Sequence, residues 1–403
     1  MEKRAISYGR QTIEADDVEA VVKALGSGML TQGPLVEEFE RKLAAYTGAK
    51  YAVVCSNGTA ALHLACKAAG LGPGDKVLTS PLTFLASANA ALYVGARPDF
   101  VDIESETFNI DPAEVEKKVK ACPSVKALIP VHFAGLPCGM ETLGRIARER
   151  NLIVIEDACH ALGASWTDSK GTVRKVGSSS HSDMTVFSFH PVKSITTGEG
   201  GAITTNSRKL YDRLLSLRTH GTVKDSARLF NPEGLPWYYE MQDLGFNYRL
   251  TDLQCALGVS QLKKLDRFIA RRAELASLYS RLLSKYPFIK TPEVQPGRDS
   301  AWHLLPVRID FGGLGASRKD LFELMSAIGI NLQVHYIPVH LQPYYRGLGF
   351  KPGDFPKAEK FYEEEVSLPI YPLLSDEEAG AVVEALLSTL ACASSNRRGA
   401  LAI

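Results

Sequence analysis

The sequence contains no pair of cysteines separated by two residues, and its cysteines are few and widely scattered. An odd number of scattered cysteines argues against a disulfide framework and gives no basis for a zinc or iron–sulfur site, so no metal is expected. We expect most of them to be small, buried apolar residues in a reducing compartment. The seven are Cys55, Cys66, Cys122, Cys138, Cys159, Cys255 and Cys392.

Long apolar runs are also missing. The N-terminal stretch MEKRAISYGRQTIEADD lacks the apolar core of a signal peptide. The least polar stretch, LASANAALYVGA, is too short and too polar to cross a bilayer. We therefore expect a cytoplasmic protein that has no membrane partner.

An excess of charge of either sign is absent as well. The chain carries 46 Lys plus Arg against 45 Asp plus Glu, for a formal net charge of +1. Without a strong positive field, nucleic acid is not an expected partner. What the chain does have is length and apolar content: 403 residues, 45% of them hydrophobic, are enough to bury a large core.

Strand-like and helix-like segments alternate from about residue 50 to 205, which favours an α/β fold whose sheet is mainly parallel. After residue 250 the pattern changes to one long helical stretch followed by a strand and two helices, typical of a smaller α+β domain. We place a large domain at 1–255, a small C-terminal domain at 256–390 and a flexible tail at 391–403. The predicted strands are YAVVCS, KVLTSP, RPDFVD, ALIPVH, LIVIEDA, MTVFSF and GAITT.

Polar groups follow several of these strands, at the edge where an open α/β sheet binds its ligands. Asp157 closes LIVIED, and it is either functional or a helix cap or salt-bridge partner. Gly58 and Thr59 begin a helix whose free N–H groups form either an anion site or an ordinary turn. Ser188 and Lys193 follow MTVFSF. A lysine here is usually a surface residue, but burial would lower its pKa and make it a nucleophile toward carbonyls.

The glycine cluster after Lys193 is not a nucleotide-binding motif. Gly198 and Gly200 fit the first two positions of GxGxxG, but Ile203 occupies the third, and a strand-like run follows instead of a helix. No GxxxxGK[ST] motif occurs in the chain. We interpret these glycines as a tight turn after the lysine.

Taken together, the polar groups at the strand ends match the needs of pyridoxal 5′-phosphate. This cofactor requires an anion site for its phosphate, a carboxylate beside its pyridinium nitrogen and a lysine that binds it as a Schiff base. A helix start, Asp157 and Lys193 supply one group of each kind. We therefore predict pyridoxal 5′-phosphate as the cofactor.

The sequence resembles the sugar aminotransferases of the DegT/DnrJ/EryC1/StrS family, which have the type I fold of aspartate aminotransferase. The resemblance runs from about residue 8 to 390. It implies an α/β large domain with a mainly parallel, mixed sheet and a smaller α+β C-terminal domain. The motifs that carry it are, in order, GTAALHLA, SPLTFLAS, EDACHALGA, SFHPVKSITTGEGGA, RTHG and LGFNYRLTD.

The resemblance also implies roles for residues around the cofactor ring. Lys193 binds the cofactor covalently and is the catalytic residue. Asp157 pairs with the pyridine nitrogen, His160 lies near the ring hydroxyl, and Phe84 stacks on the ring face. Without the resemblance, core packing would be the first interpretation of Phe84.

The phosphate of the cofactor has its own implied partners. These are Thr59, the backbone of Ala60, and Ser188. Members of the family are homodimers with shared active sites, and Asn247 would reach the phosphate from the neighbouring subunit. Taken alone, Asn247 would be interpreted as a turn residue.

Within the family, VHFAGLPC, FHPVKSITTGEGG and LGFNYRLTDLQCALG are most similar to the C4 aminotransferases of pseudaminic acid biosynthesis. The implied reaction takes nitrogen from L-glutamate, releases 2-oxoglutarate, and aminates UDP-2-acetamido-2,6-dideoxy-β-L-arabino-hex-4-ulose at C4. It is a ping-pong reaction in which Lys193 also moves the proton. Related enzymes act on UDP-4-keto-arabinose, the bacillosamine precursor or GDP-4-keto-6-deoxymannose, and these alternatives stay open.

The nucleotide-linked 4-keto sugar also needs partners of its own. The run NLQVHYIPVHLQPYYR offers His335 and His340, although such loops are more often packing elements. The segment 166–182 is expected to be an irregular insertion of unknown role.

Two other classes of function are alternatives to amino transfer. Sugar dehydratases of the family have histidine in place of the lysine or carry a cysteine cluster, and Lys193 and the scattered cysteines argue against both. A non-catalytic, cofactor-binding sensor would be expected to carry a DNA-binding extension, and the sequence shows no helix-turn-helix pattern.

Overall fold

The computed structural model describes residues 5–231 and 234–400, the last seven of these by their backbone alone. Within those residues, every helix is too short or too polar to span a membrane. The strands are β1 Tyr51–Cys55, β2 Lys76–Thr79, β3 Arg97–Phe100, β4 Val125–Ile129, β5 Ile153–Asp157, β6 Ser165–Thr167, β7 Val173–Lys175, β8 Met184–Ser188, β9 Gly201–Thr205, β10 Thr222–Val223, β11 Glu240–Met241, β12 Ile289–Lys290, β13 Arg298–Asp299, β14 Leu305–Ile309 and β15 Glu365–Leu368.

Helices cover both faces of the main sheet and build much of the C-terminal part. They are α1 Ala15–Leu25, α2 Pro34–Thr47, α3 Gly58–Ala68, α4 Leu85–Tyr93, α5 Pro112–Ala121, α6 Met140–Arg150, α7 Arg208–Arg218, α8 Asp252–Leu262, α9 Leu265–Leu283, α10 Phe311–Leu314, α11 Arg318–Ala327, α12 Pro343–Gly347, α13 Pro356–Glu364 and α14 Asp376–Ala400. The segment expected to be a tail thus begins inside α14, and its last residues, 401–403, lie outside the described residues.

The seven predicted strands form one sheet in the order β1-β9-β8-β5-β4-β2-β3. All neighbours from β8 to β3 are parallel, and β9 is antiparallel to both β1 and β8. The prediction of a mainly parallel, mixed α/β sheet is therefore confirmed. Because β1, β2, β5 and β8 run in the same direction, their carboxyl ends meet at one edge, where an open α/β sheet binds ligands.

The C-terminal part has a core of its own. The antiparallel strands β12, β14 and β15 pack with α9, α11 and α14 around buried side chains such as Leu275, Val307 and Leu386. In contrast, Val259 and Phe268 belong to the core that packs between α2 and strands β1, β8 and β9 of the main sheet. The change from one core to the other falls within α9, so packing favours a domain limit somewhat after residue 255. The domain limits themselves stay a prediction.

The single long helix expected after residue 250 is in fact two helices. The chain turns at Lys263 and Lys264, between α8 and α9. Lys264 Nζ lies 2.8 Å from the buried carboxylate of Asp17 on α1, which ties the turn to that helix. The break allows α8 to follow α1 and α2 while α9 continues toward the smaller core.

The segment 166–182, expected to be irregular, begins instead as part of a β-hairpin. Strands β6 and β7 pair antiparallel, and β13 adds a third strand. The Asp168 carboxylate accepts hydrogen bonds from the N–H groups of Lys170 and Thr172 and from Arg174, and Gly171 has a φ of +77°. An aspartate and a glycine at these positions are an ordinary turn signal that the sequence analysis missed.

A fully buried arginine, Arg272 on α9, joins three separate segments of the C-terminal part. Its guanidinium donates hydrogen bonds to the backbone carbonyls of Trp302, His303 and Ile370 at 3.2, 3.3 and 2.8 Å. We expect Arg272→Met to lower the free energy of unfolding by about 3 kcal/mol, because buried carbonyls would lose their donor.

Thermal unfolding of the cofactor-loaded protein would test this. The control is Arg267→Met, since Arg267 is 63% exposed, pairs with Glu14 at the surface and should contribute no more than about 1 kcal/mol. Equal shifts in the two variants would contradict the role given to Arg272.

Candidate active site

A cavity of about 890 Å³ opens at the carboxyl edge of the main sheet. Most of the predicted site residues line this cavity. They come from the ends of four strands and from the loop after residue 331. The predicted residues that line it are Thr59, Ala60, Phe84, Asp157, His160, Ser188, Lys193 and His335.

Lys193 extends into this cavity from the turn after β8. Its Nζ lies 3.4 Å from Nε2 of His303, and within the described part of the chain no carboxylate forms an ion pair with it. Burial lowers the pKa of the Lys193 amine, although Cys159 and Asp157 act in the opposite direction. A larger share of neutral amine follows at neutral pH, and the neutral form is the nucleophile and the base.

Asp157 is held in one orientation at the end of β5. One carboxylate oxygen accepts the Ser87 hydroxyl at 2.6 Å, and the other accepts the Cys159 N–H at 3.2 Å. The backbone of Asp157 bonds to Pro130 and His132 beside β4, at 2.9 and 3.1 Å. Asp157 is 5% exposed, so water screens its charge little. Lys193 lines the same cavity and is the cation near it. This is a fixed carboxylate that still has room to accept a hydrogen bond from a ligand.

Two neighbouring histidines and a tyrosine line another part of the cavity. The rings of His160 and His303 lie 4.4 Å apart, and Tyr336 Oη lies 3.1 Å from His160 Nε2. Burial and the nearby Lys193 lower the pKa of both histidines well below the usual value. His160 is therefore neutral, and its Nε2 shares a hydrogen bond with the Tyr336 hydroxyl. Nδ1 of each imidazole has no hydrogen-bond partner within the described residues.

The start of α3 forms the anion-binding end of the cavity. Asn57 caps the helix, and its side chain accepts the N–H of Ala60 at 2.8 Å, so this N–H is already engaged. The N–H groups of Gly58 and Thr59 lie in the first turn, where a helix offers no internal acceptor. A Cβ added at Gly58 would lie 3.0 Å from the Cβ of Ser188, so glycine brings the Ser188 side chain against the helix start.

Phe84 precedes α4 and presents its ring to the cavity. It is 56% exposed, and its ring centre lies 6.2 Å from that of Tyr336. A core residue would be buried, so this exposed fraction argues against a core-packing role for Phe84. An exposed aromatic face beside a fixed carboxylate is suited to stack on a flat ring.

Two predicted residues do not reach this cavity. His340 is fully buried, and its Nε2 lies 2.9 Å from Glu359 while its ring packs edge-on against Phe355. A contact between His340 and a substrate in this cavity is therefore no longer expected. Asn247 is exposed, pairs through its backbone with Thr219, and does not line the cavity of its own chain.

Three residues of the site were missed in the sequence: His303 and Tyr336 line the cavity, and Ser87 is fully buried and donates to Asp157. Ser87 could have been found, because it follows Phe84 by three residues and therefore faces the same side of α4. His303 precedes β14 in the apolar stretch AWHLLPV, which gave no sign of chemistry. Tyr336 is adjacent to His335, and nothing in the sequence indicated that it would contact His160.

These residues fit a phosphorylated pyridinium ring. The cavity provides an amine without an ion pair, an oriented carboxylate, an exposed aromatic face and a helix start beside a serine hydroxyl. Each matches one part of such a ligand: aldehyde, ring nitrogen, ring face and phosphate.

A comparison with protein families gives one match over nearly the whole chain. The model of the DegT/DnrJ/EryC1/StrS aminotransferase family matches residues 11–387. The spore coat polysaccharide biosynthesis protein SpsC of Bacillus subtilis is 40% identical over 383 residues, which cover 94% of this chain and 96% of that protein. The UDP-4-amino-4,6-dideoxy-N-acetyl-β-L-altrosamine transaminase of Campylobacter jejuni is 40% identical over 387 residues, covering 96% and 97%.

Solved structures agree with these sequence matches. PseC of Helicobacter pylori, an aminotransferase of pseudaminic acid biosynthesis, superposes with a TM-score of 0.87 at 31% identity, covering 96% of this chain and 99% of that chain. Since this level of identity and coverage exceeds what a shared fold alone requires, the similarity extends to the family and its cofactor, pyridoxal 5′-phosphate.

Proposed function

Since the chain belongs to the DegT/DnrJ/EryC1/StrS aminotransferase family and is a pyridoxal 5′-phosphate-dependent sugar aminotransferase, we propose that it transfers an amino group from L-glutamate to C4 of a nucleotide-linked 4-keto-6-deoxy sugar. The observation that carries this proposal is the position of Lys193 and Asp157 in one cavity with the start of α3. Amino transfer needs these three groups around one cofactor.

UDP-2-acetamido-2,6-dideoxy-β-L-arabino-hex-4-ulose is the proposed acceptor, and the product belongs to a pathway for pseudaminic acid or a related surface sugar. The Campylobacter relative named for the corresponding product supports this choice. The Bacillus relative is equally identical and is named for spore coat polysaccharide. A C4 aminotransferase for another nucleotide sugar is therefore the second candidate.

The residues of the cavity have separate proposed tasks in holding the cofactor. The first turn of α3 binds the phosphate through the N–H groups of Gly58 and Thr59 and the hydroxyls of Thr59 and Ser188. Ala60 was expected to contribute its backbone, but its N–H is bonded to the Asn57 side chain. Phe84 covers one face of the ring. Asp157, oriented by Ser87, accepts a hydrogen bond from the ring nitrogen and favours its protonated form. When bound, the cofactor supplies an electron-withdrawing ring that stabilises negative charge at the carbon losing its proton.

The proton transfers are proposed to use the Lys193 amine. Its lowered pKa leaves neutral amine available at Nζ, which can take a proton from the α-carbon of glutamate and later return one. His160, neutral and fixed by Tyr336 Oη at 3.1 Å, lies beside the ring position and adds no positive charge next to the amine. The same groups serve both half-reactions, since the keto sugar is aminated by the reverse steps.

The active site is proposed to be shared between the two subunits of a homodimer. Asn247 is exposed and lies outside the cavity of its own chain, as expected of a residue that completes the neighbour's phosphate site. Its exposed amide is suited to donate hydrogen bonds to a phosphate oxygen.

A set of four keto sugars tests the proposed acceptor. The cofactor-loaded enzyme is incubated with L-glutamate and, in turn, with the UDP-linked arabino-hex-4-ulose, UDP-4-keto-arabinose, the keto precursor of bacillosamine and GDP-4-keto-6-deoxymannose, and the amino sugars are measured by mass spectrometry. We expect kcat/KM to be highest for the first by about tenfold or more, a difference of about 1.4 kcal/mol in the transition state. A preference for any other sugar would replace the proposed acceptor, and no amino sugar from any of them would contradict the proposed function.

A further inference from the structure

A chain of hydrogen bonds connects the cavity wall to a carboxyl group in the protein interior. His335 lines the cavity, and its Nδ1 lies 2.8 Å from Ser367 Oγ. The Ser367 hydroxyl also lies 2.6 Å from Glu365 Oε1, and the backbone N–H of His335 donates to Glu365 Oε2 at 2.9 Å. Glu365 and Ser367 are no more than 1% exposed, so solvent does not supply alternative partners.

The carboxyl of Glu365 forms no ion pair with any described residue. Arg318 on α11 donates instead to the backbone carbonyl of Glu365, at 3.2 Å. Arg308 is paired with Glu365 across β14 and β15, but its guanidinium lies 3.8 Å from the carboxylate of Glu364. Tyr336 is the other titratable group near it. Because burial disfavours the ionised form, the pKa of Glu365 is raised to about 8.

His335 cannot take up the charge in place of Glu365. Burial and the nearby Lys193 lower the pKa of His335 to about 3, so its imidazole is neutral across the range in which Glu365 titrates. A neutral imidazole has one protonated nitrogen, and the neighbour of Nδ1 decides which nitrogen carries the proton. That neighbour is Ser367.

Serine has one hydroxyl proton, which links the two ends of the chain. When Glu365 is ionised, Ser367 donates to Glu365 Oε1, so Nδ1 of His335 must carry a proton and donate to Ser367. Nε2, on the side of the cavity, is then an acceptor. When Glu365 is protonated, it donates to Ser367, Ser367 donates to Nδ1, and the imidazole proton lies on Nε2. When Glu365 becomes protonated, Nε2 therefore takes up one proton from the cavity. Nδ1 passes its proton to Ser367, and Ser367 passes its own proton to Glu365.

We propose that Glu365 and Ser367 are positioning residues that set the tautomer of His335, and thereby decide whether its Nε2 donates or accepts a hydrogen bond in the substrate cavity. At neutral pH Glu365 is protonated and Nε2 is a donor, which fits an oxygen of the substrate without a hydrogen of its own, such as a phosphate or carbonyl oxygen. The identity of that substrate rests on the proposed function, but the tautomer of His335 does not.

Nitrogen NMR of the cofactor-loaded enzyme, labelled at histidine with ¹⁵N, tests the proposal without substrate. The His335 signals are assigned by their loss in His335→Gln. From pH 6.5 to 9.5 we expect the wild-type tautomer to change from Nε2–H to Nδ1–H near pH 8. In Glu365→Gln the amide oxygen must accept the backbone N–H of His335, which directs the NH₂ group to Ser367. This variant should therefore keep Nε2–H throughout.

Two further variants separate this mechanism from a general effect on the fold. Ser367→Ala removes the link and should abolish the change near pH 8, even if Glu365→Gln folds poorly. Glu364→Gln is the matched control, since Glu364 lies outside the cavity and pairs with Lys360, and it should behave as wild type. One tautomer over the whole range in wild type, an imidazolium form, or an unchanged transition in Glu365→Gln would each overturn the proposal.

The effect on substrate binding has its own readout. In wild type, KM for the keto sugar should rise about tenfold between pH 7 and pH 9.5, beyond any rise seen in Glu365→Gln over the same range. A tenfold change corresponds to the loss of about one hydrogen bond. An equal rise in both proteins would contradict the link between the tautomer and the substrate. A loss of turnover with all keto sugars while the tautomer still changes would count against the proposed function alone.

Discussion

Lys193→Ala is expected to reduce the rate of amino transfer by about 10⁴-fold or more, because the variant loses both the covalent attachment of the cofactor and the group that moves the proton. Acid–base catalysis alone accounts for about 10²–10⁴-fold. The measurement is single-turnover conversion of L-glutamate to 2-oxoglutarate by cofactor-loaded protein. Lys170→Ala is the control, since Lys170 is exposed in the turn between β6 and β7.

A small amine added to Lys193→Ala should restore part of the proton transfer. The side chain that is removed leaves room at the position of Nζ, which methylamine can occupy. Faster turnover with added methylamine in the variant, and none in wild type, would identify the missing group as the amine itself. If Lys193→Ala turned over within tenfold of wild type, the assignment of the catalytic base would be wrong.

Asp157→Asn is expected to lower the rate of the glutamate half-reaction by about 10²–10⁴-fold. Breaking a buried charge pair costs about 3–5 kcal/mol, which corresponds to that range of rates. The asparagine has the same shape, and its oxygen can still accept the Ser87 hydroxyl. Only the longer bond from the Cys159 N–H, at 3.2 Å, is lost, so the fold should be preserved. The loss should therefore appear in the rate of the half-reaction and not in the thermal stability of the protein.

Asp183→Asn provides a matched control for this prediction. Asp183 accepts the Val154 N–H at 2.8 Å and precedes β8, whereas Asp157 ends β5, so the two carboxylates lie at opposite ends of the sheet. Its replacement should leave the half-reaction unchanged. Similar rates in Asp157→Asn and Asp183→Asn would remove Asp157 from the proposed site.

The strands of the main sheet could be predicted because each is a short apolar run closed by polar or turn residues. The same pattern placed Asp157 and Ser188 at strand ends, and a parallel sheet brings such ends to one edge. The start of α3 was equally visible, since a strand ending at Cys55 is followed by a capping asparagine and a glycine. These are local features, and local chemistry decides them.

The contacts that complete the cavity could not be predicted, because they join residues far apart in the chain. Ser87 and Asp157 are 70 residues apart, and Lys193 and His303 are 110 residues apart. His335 and His340 looked alike in the sequence, yet one lines the cavity and the other is buried against Glu359. The burial of each side chain depends on the packing of the C-terminal part against the main sheet, which no local pattern records.

Covalent binding of the cofactor by Lys193 can be tested directly. The cofactor-loaded enzyme is treated with borohydride, which makes the link permanent, then digested, and the modified peptide is sequenced by mass spectrometry. We expect the pyridoxyl group on Lys193 and on no other lysine. Modification of a different lysine, or none after full loading with the cofactor, would contradict it.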